Sequence, residues 1–237
     1  MIFTFDERPS DSPFVERIWR THSERAGSFV SVAMSHWEMV VTRHHGQTIL
    51  TVRGPETKAT PLYCPADGEW LGIRFKLGTF LPQLPASNLV DGAVNLPNVA
   101  SQSFWFHGSV WEFPNFENAE TFVAWLVRDG LLTREPVVEA VLQGQVKHLS
   151  SRTAHRYFLK TTGLTPGVVR QIERARYAAI LLLQGASILD AVHEAGYFDQ
   201  PHLNRSLKHF IGQTPTQIMD RNRSEQLSFL YKTAPLR

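Results

Sequence analysis

The clearest alternation of apolar and polar positions in this chain lies near its C-terminus. After Ser187, the residues Ile188, Ala191, Val192 and Ala195 recur at i, i+3, i+4 and i+7, which is one apolar face of a helix. Ser187 followed by Asp190 has the S-x-x-D form of a capping pair. Gly196 tolerates the left-handed conformation that a tight helix–helix turn needs. Asp199 then reads as a second N-cap, and Pro201 is acceptable in a first turn whose N–H groups lack partners anyway. Leu203, Leu207 and Phe210 point one way from this second helix; Gln200, Asn204, Arg205 and Lys208 point the other, and Gly212 stops it. The pattern predicts a helix-turn-helix over residues 185–215.

The same layout occurs once before. Arg156 lies 49 positions ahead of Arg205, Gly163 ahead of Gly212, and Thr165-Pro166 ahead of Thr214-Pro215. The earlier copy, residues 149–166, carries Ser151, Arg152, His155 and Arg156 on its outer face. Between the copies, Val169, Ile172, Ala175 or Arg176, Ala179 and Leu183 keep helical spacing until Gly185. Eighteen helical residues rise by roughly 27 Å. That length would set two reading helices apart by about one duplex turn, roughly 34 Å.

Upstream the period changes. Residues 1–27 are polar and broken by Pro9 and Pro13, so loop plus a short helix at 14–20 is expected. Residues 37–41 and 48–52 flank His45-Gly46 as a hairpin. Residues 69–76 alternate strictly, with Leu71, Ile73 and Phe75 inward and Gly72, Arg74 and Lys76 outward. Residues 117–128 return to helical spacing, with Phe122, Trp125 and Leu126 on one side and Gly130 as the stop. The fold class expected is α+β. A β-rich regulatory, sensor or dimerisation domain at 1–133 precedes an all-α domain of two helix-turn-helix motifs at 134–223 and a tail at 224–237, read as a short helix.

Charge sharpens this division. Residues 134–237 hold 14 Lys and Arg against 8 Asp and Glu; residues 1–133 hold 10 against 14. A basic C-terminal part behind an acidic N-terminal part suits a chain that meets nucleic acid at one end. The outer face of the second reading helix has no acid between Gln200 and Ile211. Gln and Asn pair bidentately with adenine, and Arg with guanine or phosphate.

Other chemistries find little support. The single cysteine, Cys64, excludes an internal disulfide and any Cys-rich zinc site. His36, His44, His45 and His107 lack metal-ligand spacing, because adjacent residues on a strand face opposite ways. The aromatic residues Trp70, Phe75, Phe80, Trp105, Phe106 and Trp111 suit a core better than a ligand pocket, though both readings stand. No nucleophile elbow, phosphate loop or paired-carboxylate site is present. With no signal pattern and no long apolar run, a cytoplasmic protein is expected.

Residues 135–222 resemble the double helix-turn-helix domain of the AraC/XylS family of bacterial transcription regulators. The resemblance is carried by Arg156, Phe158 and Gly163, then Arg174, Arg176, Ala178 and Leu181-Leu182. Ala191, Gly196-Tyr197, Asp199-Gln200, His202-Leu203, Arg205, Phe210, Gly212 and Thr214-Pro215 complete it. It implies a regulator that binds double-stranded DNA at a promoter or operator. RNA polymerase, a small-molecule effector in the N-terminal domain and a homodimer are further candidate partners, and no cofactor or membrane is implied. Ser151, Arg152, His155 and Arg156 would face the DNA from the first motif, and Gln200, Asn204 and Arg205 from the second, with Lys208 on phosphate.

Three positions depart from the family pattern. Pro201 offers no hydrogen bond, Ala154 replaces a large aliphatic residue, and Lys147-His148 replaces the turn glycine. Arg174 and Arg176 either contact phosphate or pair with Glu173, Glu139 or Asp190. The competing functions are an interaction or ligand-binding module without specific DNA binding, and a metal-dependent enzyme in the N-terminal domain. A DNA-repair methyltransferase, which shares the double motif, would need reactive cysteines that this chain lacks.

Overall fold

The computed structural model describes residues 3–145, 150–220 and 226–227. Its strands are β1 (Phe3–Pro9), β2 (Val15–Ser23), β3 (Gly27–Ser31), β4 (Glu38–His44), β5 (Gln47–Arg53), β6 (Thr60–Cys64) and β7 (Glu69–Phe75). Short strands follow: β8 (Thr79–Phe80), β9 (Ala93–Asn95), β10 (Asn98–Ala100), β11 (Ser103–Phe106), β12 (Ser109–Glu112), β13 (Thr133–Arg134) and β14 (Gln226–Leu227). The helices are α1 (Ala119–Arg128), α2 (Val137–Leu142), α3 (Ser151–Thr162), α4 (Pro166–Leu183), α5 (Ile188–Glu194), α6 (Gln200–Phe210) and α7 (Pro215–Met219). The fold class is therefore α+β, a β-rich region followed by helices.

The chain separates into two compact units. One comprises residues 1–27, 36–55 and 64–166; the other comprises 28–35, 56–63 and 167–237. This division differs from a single cut at residue 133. The first reading helix, α3, clusters with the β-rich region, and two N-terminal segments cluster with the later helices.

The first unit is built on an antiparallel sheet in the order β1-β2-β7-β4-β5-β9. The expected hairpin is β4–β5, paired from Glu38↔Arg53 to His44↔Gln47. His45 and Gly46 both have positive φ, 48° and 74°, which the type I′ hairpin turn requires. His45 therefore sits in the turn and not on a strand, and its ring approaches that of His44 to 3.9 Å between centroids.

Residues 14–20 are not helical. Residues 15–20 fall in β2, whose buried positions Val15, Ile18 and Trp19 imitate helical spacing because a register shift between Val15 and Arg17 breaks the alternation. The strand at 69–75 is covered on both faces, so Gly72 and Arg74 are buried instead of outward. A Cβ on Gly72 would lie 1.9 Å from the Trp19 ring, so only glycine fits beneath it. On that face Glu38 accepts from Trp19 Nε1 at 3.1 Å and lies 3.8 Å from the Arg74 guanidinium, which offsets the cost of enclosing both charges.

On the opposite face Ile18, Val41, Leu50, Val52, Leu71, Ile73 and Phe75 join one hydrophobic cluster, with Trp37 stacked on Phe75 at 4.0 Å. Phe104, Phe106 and Trp111 from the β10-β11-β12 sheet and Phe122, Val123 and Leu126 of α1 complete it. Phe75, Phe106 and Trp111 are thus core, whereas Trp105 is 45% exposed. Trp125, expected inward from α1, is 46% exposed because Val123 takes the buried position.

In the second unit α4 supplies Val169, Ile172, Ala175, Ala178, Ala179 and Leu182 as its buried stripe. Leu203, Leu207 and Phe210 of α6 are buried as their spacing predicts. Val30, Val32 and Ala33 from segment 28–35 are buried as well. β14 pairs in parallel with β3, so residues 226–227 form a strand where a helical tail was expected; the rest of that tail, and Lys147-His148, lie outside the described residues.

Candidate nucleic-acid interface

The two helices expected to face DNA are α3 and α6, each described within its own unit. Their first residues, Ser151 and Gln200, stand at the same 49-residue offset as the glycines that follow them. Each is capped at the equivalent position. Ser150 accepts from Thr153 N–H at 3.2 Å, and Asp199 accepts from His202 N–H at 2.7 Å. Each is followed by a glycine in the left-handed region, Gly163 at φ 74° and Gly212 at φ 83°. Those caps satisfy N–H groups that a helix cannot satisfy internally.

In α3 the inward positions are Ala154 and Phe158, while Arg152, His155 and Arg156 are exposed. The side chain of Ser151 lies outside the described ones. Arg156 rests 5.9 Å from the centroid of the exposed Tyr157 ring. In α6, Gln200 and Arg205 are exposed and have no acidic partner among the described residues. Asn204 is half-buried, with Oδ1 enclosed and lacking a hydrogen-bond partner. Lys208 Nζ donates to Gly212 O at 3.1 Å, so it also closes the carbonyl end of its own helix. Five charged or polar groups thus face outward from the two helices as expected, and Asn204 and Lys208 are partly engaged by the fold.

The preceding turn is held by a polar cluster that the sequence did not reveal. The Arg174 guanidinium lies 4.5 Å above the Tyr197 ring and donates to Gly196 O at 3.5 Å. Tyr197 Oη and Ser206 Oγ are 2.8 Å apart, and His202 packs edge-on at 5.1 Å. Burial raises the Tyr197 phenol above its ordinary range. Arg174 therefore positions the turn and pairs with none of the acids expected for it. Arg176, nearly buried, lies 3.9 Å from Glu173, one of the partners considered for it. α5 carries the full capping box of Ser187 and Asp190.

The first unit also contains a cavity of about 410 Å³ at one end of its sheet. Arg20, His22, Arg43, Glu69, Trp70 and Phe116 are among its lining residues. Arg20 is fixed by Asp6 at 2.9 Å and stacks 4.3 Å over Phe116. The half-buried side chain of Arg43 forms no hydrogen bond or ion pair among the described residues. Elsewhere His36 lies 3.2 Å from Glu16 and His44 3.1 Å from Ala66 O, and no group of three metal ligands gathers among the described residues. Among those residues, no helix is long and apolar enough to cross a membrane.

Comparison with known proteins agrees with the helical geometry. A family model described as a helix-turn-helix domain matches residues 145–221. Among curated proteins, the chain is similar to the bifunctional transcriptional activator/DNA repair enzyme Ada of Escherichia coli (strain K12), with 34% identity over 105 residues. That match covers 44% of this chain and 29% of the relative, so the chain spans well under two thirds of that protein's length. No solved structure matches significantly. Residues 145–221 are a helix-turn-helix domain of the AraC type.

Proposed function

We propose that this chain is a sequence-specific DNA-binding transcription regulator that reads two successive major grooves with α3 and α6. The observation that carries the reading is the pair of capped helices at constant offset, each with an outward cationic and hydrogen-bonding face that includes Arg156 or Arg205. Phosphate neutralisation by such faces supplies affinity, and a few base-edge contacts supply specificity. The length of α4, 18 residues and so roughly 27 Å, suits a spacing near one duplex turn. RNA polymerase is a fitting further partner for a regulator of this type.

Regulation through the β-rich region is part of the proposal. The cavity is of a size that takes a small molecule. Its lining mixes bases and acids, Arg20 and Arg43 against Asp6, Glu69 and Glu117, beside Trp70 and Phe116, which favours a small polar ligand with an apolar body. His22 and Glu69 line it within a few residues of segments 28–35 and 56–63 along the chain, so an occupied cavity acts on the chain that leads into the other unit.

A repair-enzyme role receives no support from Cys64. It is buried, donates to Pro65 O at 3.3 Å, and its thiol is raised by burial away from the reactive thiolate.

The test is a salt series of fluorescence-anisotropy titrations, using DNA upstream of this protein's own gene and a scrambled duplex. Tight binding to the first that weakens steeply with salt, with a large ratio over the second, is expected. Equal weak binding to both, with and without candidate small-molecule ligands, overturns the reading in favour of an interaction module.

A further inference from the structure

A helix ends with carbonyl groups that have no partner within it. Two of those at the end of α6 are answered from far along the chain. Ala33 N–H donates to Phe210 O at 2.7 Å, and Ala59 N–H donates to His209 O at 2.9 Å. The segments that bring these donors are bound to each other. Met34 and Glu56 exchange backbone bonds of 2.9 and 2.8 Å, and Ser31 Oγ donates to the Glu56 carboxylate at 2.7 Å.

Both segments and α4 form one frame around the end of the reading helix. Ser35 Oγ donates to Glu173 Oε1 at 2.6 Å, and the buried Arg176 donates to Ala33 O at 3.2 Å. The contact leaves no slack after α6. A Cβ on Gly212 would lie 2.9 Å from Val30 Cγ1 and 3.1 Å from Ala59 Cβ.

Bonds to the last carbonyls of a helix lie roughly along its axis, so they resist tilt and sliding. Base-edge hydrogen bonds tolerate only a few tenths of an ångström of misplacement. Phosphate contacts to flexible side chains tolerate more, and they carry no sequence information. A helix held at its far end should therefore gain discrimination more than bulk affinity.

We propose that segments 28–35 and 56–63 are positioning elements of the DNA-reading unit. They contact neither base nor phosphate; they fix α6 by its carbonyl end and thereby set the sequence discrimination of the second motif. The inference rests on the DNA-reading function proposed above, and its test separates the two.

The full chain is compared with Ala59→Pro, which loses the N–H, and with Ala59→Ser, which keeps it. In the absence of DNA, amide hydrogen exchange in the last turn of α6 should accelerate about fivefold in Ala59→Pro, the effect of one lost hydrogen bond, with β2, β4 and β7 unchanged. The ratio of affinities for the upstream duplex over the scrambled one should fall by a similar factor, about fivefold, with scrambled binding unchanged. Ala59→Ser should match the native chain in both. Native-like α6 exchange and an unchanged ratio in Ala59→Pro overturn the proposal, and so does an Ala59→Ser chain as impaired as Ala59→Pro. Should Ala59→Pro unfold as a whole, Ser35→Ala removes a single hydroxyl and carries the same two readouts at smaller amplitude, with no change in either overturning the proposal. A native chain that cannot tell the duplexes apart refutes the DNA-reading function, and the exchange data alone then decide whether the segments hold α6.

Discussion

The two proposed reading helices share one plan and are supported differently. Both have a polar N-cap, an outward arginine at the same offset and a left-handed glycine behind them. Inward, α6 buries Leu203 where α3 buries the much smaller Ala154. Behind α3, a Cβ on Gly163 would lie 2.8 Å from the Ala86 carbonyl oxygen of the first unit, whereas α6 is closed by donors from two N-terminal segments in the second. Outward patterning is what the copies share, and inward support is what each has acquired for itself.

The largest expected effect tests the inward difference. Leu203→Ala should destabilise the second unit by about 2–5 kcal/mol, the usual cost of a cavity at a fully buried leucine. Ala154→Gly should cost only about 1 kcal/mol, mainly through helix propensity. Denaturant melts of the two variants measure the contrast, and equal losses would show that the inward supports are alike after all.

Next come the shared arginines. Arg205→Ala should lose about 1–3 kcal/mol of affinity for the cognate site, and Arg156→Ala a comparable amount at the half-site read by α3. Anisotropy titrations that leave both affinities at the native value would sink the assignment. The caps should matter less. Asp199→Ala and Ser150→Ala should each cost about 1 kcal/mol of stability, and a loss only at Asp199 would mean that α3 is held by packing alone.

The smallest effect concerns Lys208, whose equivalent in α3 is the exposed Leu159. Lys208→Ala should reduce the salt slope of DNA binding by about one, and Leu159→Lys should raise it by about one. An unchanged slope for Lys208→Ala would assign that lysine to its bond with Gly212 O alone.

Much of this was legible from residue spacing. The second helix-turn-helix announced its caps, its turn and its buried face, because those depend on contacts within four residues. The β4–β5 hairpin announced itself through His45-Gly46. What stayed hidden depends on partners far away in sequence. Arg74 reads as an outward strand residue until Glu38 and Trp19 close over it. Val15, Ile18 and Trp19 read as a helix until a bulge and two neighbouring strands account for them. Nothing in the composition of segment 28–35 says that its donors serve a helix end. Asn204 shows the same limit within the site, since its outward register did not disclose an enclosed Oδ1.

The bonds that tie the N-terminal segments to α4 also bear on how the chain matures. Ser35 and Glu173 are separated by 138 residues, and Ala33 and Arg176 by 143. Contacts of such separation form late, after the loop between them has been ordered. On the ribosome, segments 28–35 and 56–63 emerge long before the helices that will accept their donors. The second motif is therefore completed only after α6 has emerged, and until then a nascent chain keeps the N–H groups of Ala33 and Ala59 unanswered. Chaperone dependence and aggregation during expression should concentrate in that interval.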